Sequence, residues 1–350
     1  MTTFHHALRR RFVFRSLAAW LAAGSMATAA MPVALAQEGS AAAASRTPTG
    51  KVPAAVSVLS IVEHPSLDAL RDGLHDELKD AGYQDGKSLH WAYQSAQGNQ
   101  GTAVQIARKF VGDRPDVIVP IATPAAQAVV SATHQIPVVY NAITDPIAAQ
   151  IVKSMAPSGT NVTGVSDKLV AERQVAFIKR VVPDVKRVGI IYSPAEANSV
   201  SATREMKVAL EKQGISLVEV AAPRSIDVGQ AAQRLVGKVD VIYTSNDNNV
   251  ISAYESVIKV ANAAKIPLIC ADRSSVQRGA TGAMAIDYYR MGRQTGRMVL
   301  RILNGEKPGD IASETSDRLD ITLNLDAARR QGATLSPELQ AEASEIFGKP

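Results

Sequence analysis

Nearly every apolar run in this 350-residue chain stops in a hydroxyl, an amide or a carboxylate. The run endings read "SIVEHPS" from Ser60, "IATPA" from Ile121, "AITDP" from Ala142, "YSPAEANS" from Tyr192, "YTSNDNN" from Tyr243, "CADRSS" from Cys270 and "AIDYY" from Ala285. Thr123-Pro124 places a hydroxyl and the unpaired N–H groups of a helix start where an anion such as a carboxylate can be held, and Ser66 and Ser199 occupy similar places. Taken singly, such a hydroxyl can equally cap its own helix. Asp145, Asp247 and Asp287 are carboxylates at run ends, suited to an ammonium group through charge-assisted hydrogen bonds or, again, to capping. Asp247 stands out, because it lies among Ser245, Asn246, Asn248 and Asn249 directly after an apolar run.

Reactive constellations are poor by comparison. Glu63-His64 precedes Pro65, but no cysteine or serine elbow accompanies it. Cys270 follows an apolar run and reads as a small buried residue rather than a nucleophile. Neither spacing of a Gly-rich phosphate loop occurs, and no His/Cys cluster is spaced for a metal, so neither a cofactor nor a metal is expected. These residue types describe binding groups without a reaction, and no enzyme is expected.

The elements that must carry these groups alternate. "AAVSVLSIV" (54–62) precedes a helical pattern in which Leu67, Leu70, Leu74 and Leu78 share one face and Gly82 ends it. Strand and helix patterns then alternate through "IPVVYNAI", and a second series of similar order and length runs from 170 to "IPLICA". Such alternation predicts parallel sheets with helices on both faces, as two similar α/β domains. "TGAMAID", the helix "YYRMGRQTGRMVLRILNG" and the strand "LDITLNL" would complete both domains and their connection. In open parallel sheets, ligands bind beyond the carboxyl ends of the strands, where the polar run endings lie. Pro120 interrupts a run that should be a central strand, which predicts a bend beside Thr123.

Residues 1–36 are expected to be an export signal: Arg9, Arg10, Arg11 and Arg15 precede an apolar small-residue stretch that ends in Ala34-Leu35-Ala36. Arg9-Arg10 also faintly resembles a twin-arginine signal. "QEGSAAAASRTPTG" (37–50) is small and polar and reads as a disordered leader. The chain holds 38 Lys and Arg against 33 Asp and Glu. The four arginines of the signal account for most of that excess, and no clustered basic face suggests nucleic acid. No cysteine sits at the cleavage point to carry a lipid anchor, so a free periplasmic protein is expected.

"IVEHPSLDALRDG", "YQSAQGNQGTAVQIA", "IATPAAQA", "ITDPIAAQIVKS", "GTNVTGVSD", "SPAEANSV", "GKVDVIY", "AIDYYRMGRQTG" and "LNGEKPGDI" occur in this order over nearly all of 52–331. Together they resemble the ABC-transporter substrate-binding family that includes the TrpX-type tryptophan and tyrosine receptors. The resemblance implies a type I periplasmic-binding-protein fold, two Rossmann-like lobes with parallel sheets joined by three hinge strands. The lobes would be 51–165 with 287–314, and 166–286 with 315–350. It also implies a receptor that closes on an aromatic amino acid and delivers it to the membrane permease of an ABC importer, a shuttle role that a monomer suits. Carried over by motif, Glu63, His64, Pro65, Thr123, Pro124, Thr144 and Asp145 would form one side of the cleft, and Asn198, Ser199, Asp247, Asn248 and Asp287 the other side and hinge. The ligand carboxylate would go to Thr123 and Thr144, and its ammonium to Asp247 or Asp287. A non-aromatic amino acid or another small carboxylate is the alternative ligand, and a periplasmic sensor the alternative role. A transcriptional regulator of the same lobe architecture would need a DNA-binding domain where the export signal lies. Tyr140, Tyr192, Tyr243, Tyr288 and Tyr289, the tyrosines nearest strand ends, read as packing residues.

Overall fold

Runs such as Val117–Ile121 are apolar on both faces, and in the computed structural model, which describes residues 47–316 and 318–349, they form parallel strands with helices on either side. The expected leader (1–36) and most of the polar segment after it lie outside the described residues. In chain order the first unit runs β1 (Ala54–Ser60), α1 (Pro65–Asp80), β2 (Leu89–Ser95), α2 (Gln100–Asp113), β3 (Val117–Ile121), α3 (Thr123–Ala132), β4 (Val138–Asn141) and β5 (Val162–Ser166). The second runs α4 (Ala171–Val181), β6 (Arg187–Tyr192), α5 (Ala197–Glu211), β7 (Ser216–Ala221), α6 (Val228–Leu235), β8 (Val241–Thr244), α7 (Asn248–Ser252), α8 (Tyr254–Ala264), β9 (Leu268–Cys270), α9 (Arg273–Arg278) and β10 (Gly282–Ile286). Helix α10 (Tyr288–Leu303) and β11 (Glu314–Thr315) return to the first unit, and β12 (Leu319–Asn324) and β13 (Glu345–Phe347) to the second.

The strand orders are β11-β5-β4-β3-β1-β2 and β13-β12-β10-β9-β8-β6-β7. All pairs are parallel except β10 with β12. In each sheet the order reverses once, at β1/β3 and at β6/β8. A crevice opens at such a switch point, because the flanking connections leave to opposite faces. The chain passes between the sheets three times, after β5, after β10 and after β11.

Pro120 does sit in a central strand, one step before the end of β3. Its missing N–H falls on the β4 side, between two bonds that are kept, Ile118 N–H to Pro137 O at 2.9 Å and Ala122 N–H to Asn141 O at 3.0 Å. One rung is lost and the strand survives. The turn comes two residues later, where Ala122 takes φ 72.

Helices α1 and α10 meet backbone to backbone. A Cβ on Gly292 would stand 2.1 Å from Leu70 O, and one on Gly73 2.1 Å from Tyr289 O. Gly292→Ala must push the helices apart and is expected to lower unfolding free energy by about 1–3 kcal/mol in a urea titration. An unchanged midpoint would show that the helices separate freely.

Candidate functional site

The carboxyl ends of β1 and β3 in one sheet face those of β6 and β8 in the other, and the gap is lined from both sides. His64, Ala122, Thr123, Ala142 and Thr144 come from the first sheet's strand ends, and Asn198, Asn246 and Asn248 from the second's. Asp167 and Tyr288 come from two of the crossovers, and Leu67 and Ile251 add apolar surface. The lobes stand so close that the free space is about 20 Å³, roughly one water's worth. A ligand larger than that enters only when the lobes part. Ser66 Oγ bridges them, donating to Asp272 Oδ1 at 2.9 Å and lying 2.8 Å from Ser274 Oγ.

Backbone strain gathers at this gap. Ala122 and Ala142 hold φ values of 72° and 55° at the ends of β3 and β4, a conformation that L-residues other than Asn and Asp seldom adopt. Ala122 fills the N-cap place of α3 and offers it no side-chain cap. Thr123, the first helical residue, leaves its buried Oγ1 without a partner. The hydroxyl therefore does not cap its helix. It lies beside the first N–H groups of α3, which lack intrahelical acceptors, and Pro124 contributes none.

Four buried polar atoms on residues lining this one cavity have no hydrogen-bond partner: His64 Nδ1, Thr123 Oγ1, Asn198 Oδ1 and Asn246 Oδ1. Buried polar groups are almost always paired, and these four can each still take a hydrogen bond from or to a polar group in the gap. His64 is neutral there. Burial brings its pKa down to about 4, opposed by Asp272 and helped by Arg278.

Asp167 is the buried carboxylate of the gap. Oδ1 accepts from Thr144 Oγ1 at 3.0 Å, and Oδ2 accepts from Tyr288 OH at 2.7 Å and Asn246 Nδ2 at 2.9 Å. Two carboxylate oxygens offer about four lone-pair positions, which leaves one unused. Burial raises its pKa above the ordinary carboxylate range, against the three hydrogen bonds. No cation pairs with it among the described hydrogen bonds.

Several expected roles need correction. Asp247 does not line the gap. Its carboxylate is filled by four donors of its own lobe: Ser193 N–H at 2.6 Å, Ser193 Oγ at 2.9 Å, Ser199 Oγ at 2.6 Å and Val250 N–H at 2.9 Å. It is the N-cap of α7 and has no lone pair left for an ammonium group. Ser199 is held in the same cluster, donating to Asp247 and accepting from Ser193 N–H. Asp287 caps α10 and pairs with Arg290 at 3.3 Å, outside the gap. Asp145 accepts from Ala148 N–H and from Ser201 Oγ, the latter a contact between lobes at 3.1 Å. Glu63 turns away to Tyr93 and Gln97, while Pro65 and Pro124 act as helix starters. Thr144 lines the gap, but its hydroxyl hydrogen goes to Asp167, so it is a poor donor to a ligand carboxylate. His64, Thr123, Asn198 and Asn248 stand in the gap.

Asp167, Asn246 and Tyr288 were missed as site residues. Their signals are weak: Asp167 ends the block "GTNVTGVSD" directly before a chain crossing, Asn246 lies in the polar cluster around Asp247, and Tyr288 is one of the strand-end tyrosines. Cys270 is fully buried, with burial pushing its thiol pKa up, and is no nucleophile. Among the described residues no group of three or more His, Cys, Asp or Glu is placed to hold a metal ion, and no helix is long and apolar enough to cross a membrane.

Two Rossmann-like units, three crossings and a polar gap at facing switch points define a solute-binding protein of the type I fold. The chain belongs to the family of ABC transporter substrate binding proteins, whose profile matches residues 55–347. It is 38% identical over 274 residues to a tyrosine-binding protein of Clostridioides difficile, covering 78% of this chain and 79% of that one. A Streptococcus pneumonia structure in complex with L-Trp is 34% identical and superposes with a TM-score of 0.81, over 84% of this chain and 99% of the other. The ligand-free, open structure of a substrate-binding protein with adhesive properties from Clostridium difficile is 36% identical, with a TM-score of 0.65 over 85% and 100%. At similar identity the ligand-bound structure superposes better, in keeping with lobes drawn together here.

Proposed function

We propose that the gap closes on the zwitterion of an aromatic amino acid outside the cytoplasmic membrane, and that the protein delivers it as a monomer to the permease of an ABC importer. The observation that carries this reading is the pairing of an uncompensated buried carboxylate, Asp167, with unpartnered polar atoms on both lobes. A buried carboxylate without a countercharge is costly, and a ligand ammonium supplies one. The carboxylate end lies against Thr123 Oγ1 and the first N–H groups of α3. Leu67, Ile251 and Tyr288 flank the ligand side chain. An aromatic side chain is supported by the tyrosine-binding relative and the L-Trp complex. In this reading the lobes are 51–166 with 287–315 and 167–286 with 316–350, the last residues of β5 and β11 staying with the first sheet, and residues 1–36 direct export. The chemistry is capture and release, with ligand contacts to both lobes favouring the closed form.

Calorimetric titration of ligand-stripped protein against the twenty amino acids tests this reading, with L-tryptophan, L-tyrosine or L-phenylalanine expected to bind most tightly. An aliphatic amino acid binding best would keep the zwitterion roles and change the side-chain assignment; heat only from sugars would contradict both. Thr123→Val keeps the shape of the side chain and removes its donor. It is expected to weaken the amino acid about tenfold, and unchanged affinity would move the carboxylate elsewhere.

A further inference from the structure

Three asparagines line the gap from the second lobe; the side-chain nitrogens of Asn248 and Asn198 are engaged behind it, and that of Asn246 is engaged within it, by Asp167. Asn248 Nδ2 donates to Glu196 Oε2 at 2.7 Å, and its backbone N–H reaches the same oxygen at 3.3 Å. Asn198 Nδ2 donates to that oxygen at 3.1 Å and to the backbone oxygen of Asn246 at 2.8 Å. Asn246 Nδ2 donates to Asp167 at 2.9 Å. An ionised carboxylate has no hydrogen to give, so it holds an amide only by the NH₂ end. The Oδ1 atoms of Asn198 and Asn246 are accordingly the ones left buried without partners.

We propose that Glu196 is a positioning residue: ionised, it holds Asn248 and Asn198 by their NH₂ ends and so makes this wall of the gap a surface of amide oxygens that accepts an ammonium group. The proposal rests on the amino-acid reading above and adds which layer of the protein sets the polarity of the wall. Glu196 is itself buried and does not line the gap. It stands at the N-cap place of α5 yet makes no capping bond there, its Oε2 being given to the asparagines. Asn198 is held twice, by Glu196 and by a backbone oxygen, whereas the Asn248 amide depends on Glu196 alone and turns first.

The arrangement also carries a proton switch. The one charged group facing Glu196 is Asp247, at the head of α7, while Asn198 of α5 and Asn248 of α7 face it as neutral groups. Burial first, and the Asp247 charge second, raise the Glu196 pKa to about 7. Above that pH the carboxylate only accepts. Below it the new O–H seeks an acceptor; an amide turned end for end gives it its oxygen and presents NH₂ to the ammonium group. Affinity for a cationic end should therefore fall as pH drops through about 7, and a ligand without that end should not share the fall.

The test is calorimetric affinity for L-tryptophan and for indole-3-propionate, which lacks the ammonium group, between pH 5.5 and 8.5, in wild type and Glu196→Gln. Glutamine keeps the shape and can donate, so it copies the protonated state. Wild-type affinity for tryptophan should fall about tenfold on acidification, and Glu196→Gln should be about tenfold weaker at the alkaline end and lack the step near neutrality. Indole-3-propionate should lose no affinity on acidification and should bind both proteins alike at each pH. The same tryptophan profile in both proteins, or an equal change for both ligands, would overturn the positioning role while leaving amino-acid binding intact. If Glu196→Gln does not fold, the contrast is read in Asp167→Asn: a fall for tryptophan near neutrality that persists there belongs to Glu196, and its disappearance there would overturn the switch. Failure of wild type to bind any amino acid would remove the underlying reading and this one with it.

Discussion

Asp167→Asn is expected to weaken amino-acid binding by about 100-fold or more, because it takes one member from a buried, hydrogen-bonded charge pair while leaving the ligand ammonium desolvated. Its neighbours make the substitution clean. Thr144 and Tyr288 hydroxyls can reorient around an amide, and the side-chain volume is unchanged. Without ligand the effect should reverse in sign. The folded-state pKa of Asp167 lies above its unfolded value, chiefly through burial. Ionisation therefore costs the free protein stability, a cost that is absent below the unfolded pKa and complete above the folded one. At pH 8 the ligand-free variant should be at least as stable as wild type, yet should lose most of the rise in Tm that ligand gives. In wild type, affinity for the amino acid should fall as pH drops through the raised Asp167 pKa. Affinity within about threefold of wild type in Asp167→Asn would mean that the ammonium rests elsewhere.

Asp247→Ala should act on stability instead. Its carboxylate gathers two backbone N–H groups and two serine hydroxyls in a fully buried cluster. Removing it leaves Ser199 Oγ and Val250 N–H without an acceptor, leaves Ser193 only its other contacts, N–H to Ser199 Oγ at 3.0 Å and Oγ to Ala222 O at 3.3 Å, and uncaps α7, for an expected loss of about 3–5 kcal/mol in unfolding free energy. Expressed as free energies, the loss of stability should exceed the loss of ligand affinity. The reverse pattern, a collapse of affinity in a protein that unfolds at the wild-type urea midpoint, would restore Asp247 to the ligand.

The contrast between these two aspartates shows how far the sequence could be read. Alternating apolar runs located the strands and hence their carboxyl ends, and His64, Thr123, Asn198 and Asn248 lie in the gap because they belong to the segments that follow the switch-point strands. What local pattern cannot give is the number of donors that converge on a carboxylate. Asp247, in a dense polar loop, reads the same whether it faces a guest or its own loop, and only the count of four donors decides. Asp167 looks ordinary in "GVSDKLV", because its partners Thr144, Asn246 and Tyr288 come from distant parts of the chain. Tyr288 was legible as a strand-end aromatic, but its hydroxyl serves the carboxylate as well as the packing. The close approach of α1 and α10 depends on glycines more than two hundred positions apart, which no helical periodicity reveals.

A crystal structure of the protein with L-tryptophan or L-tyrosine bound examines the central claim most directly. The ligand nitrogen is expected about 2.7–2.9 Å from an Asp167 carboxylate oxygen, with the ligand carboxylate on Thr123 Oγ1 and the N-terminus of α3. A zwitterion bound the other way round, or a ligand seated away from the gap between β1/β3 and β6/β8, would contradict the account.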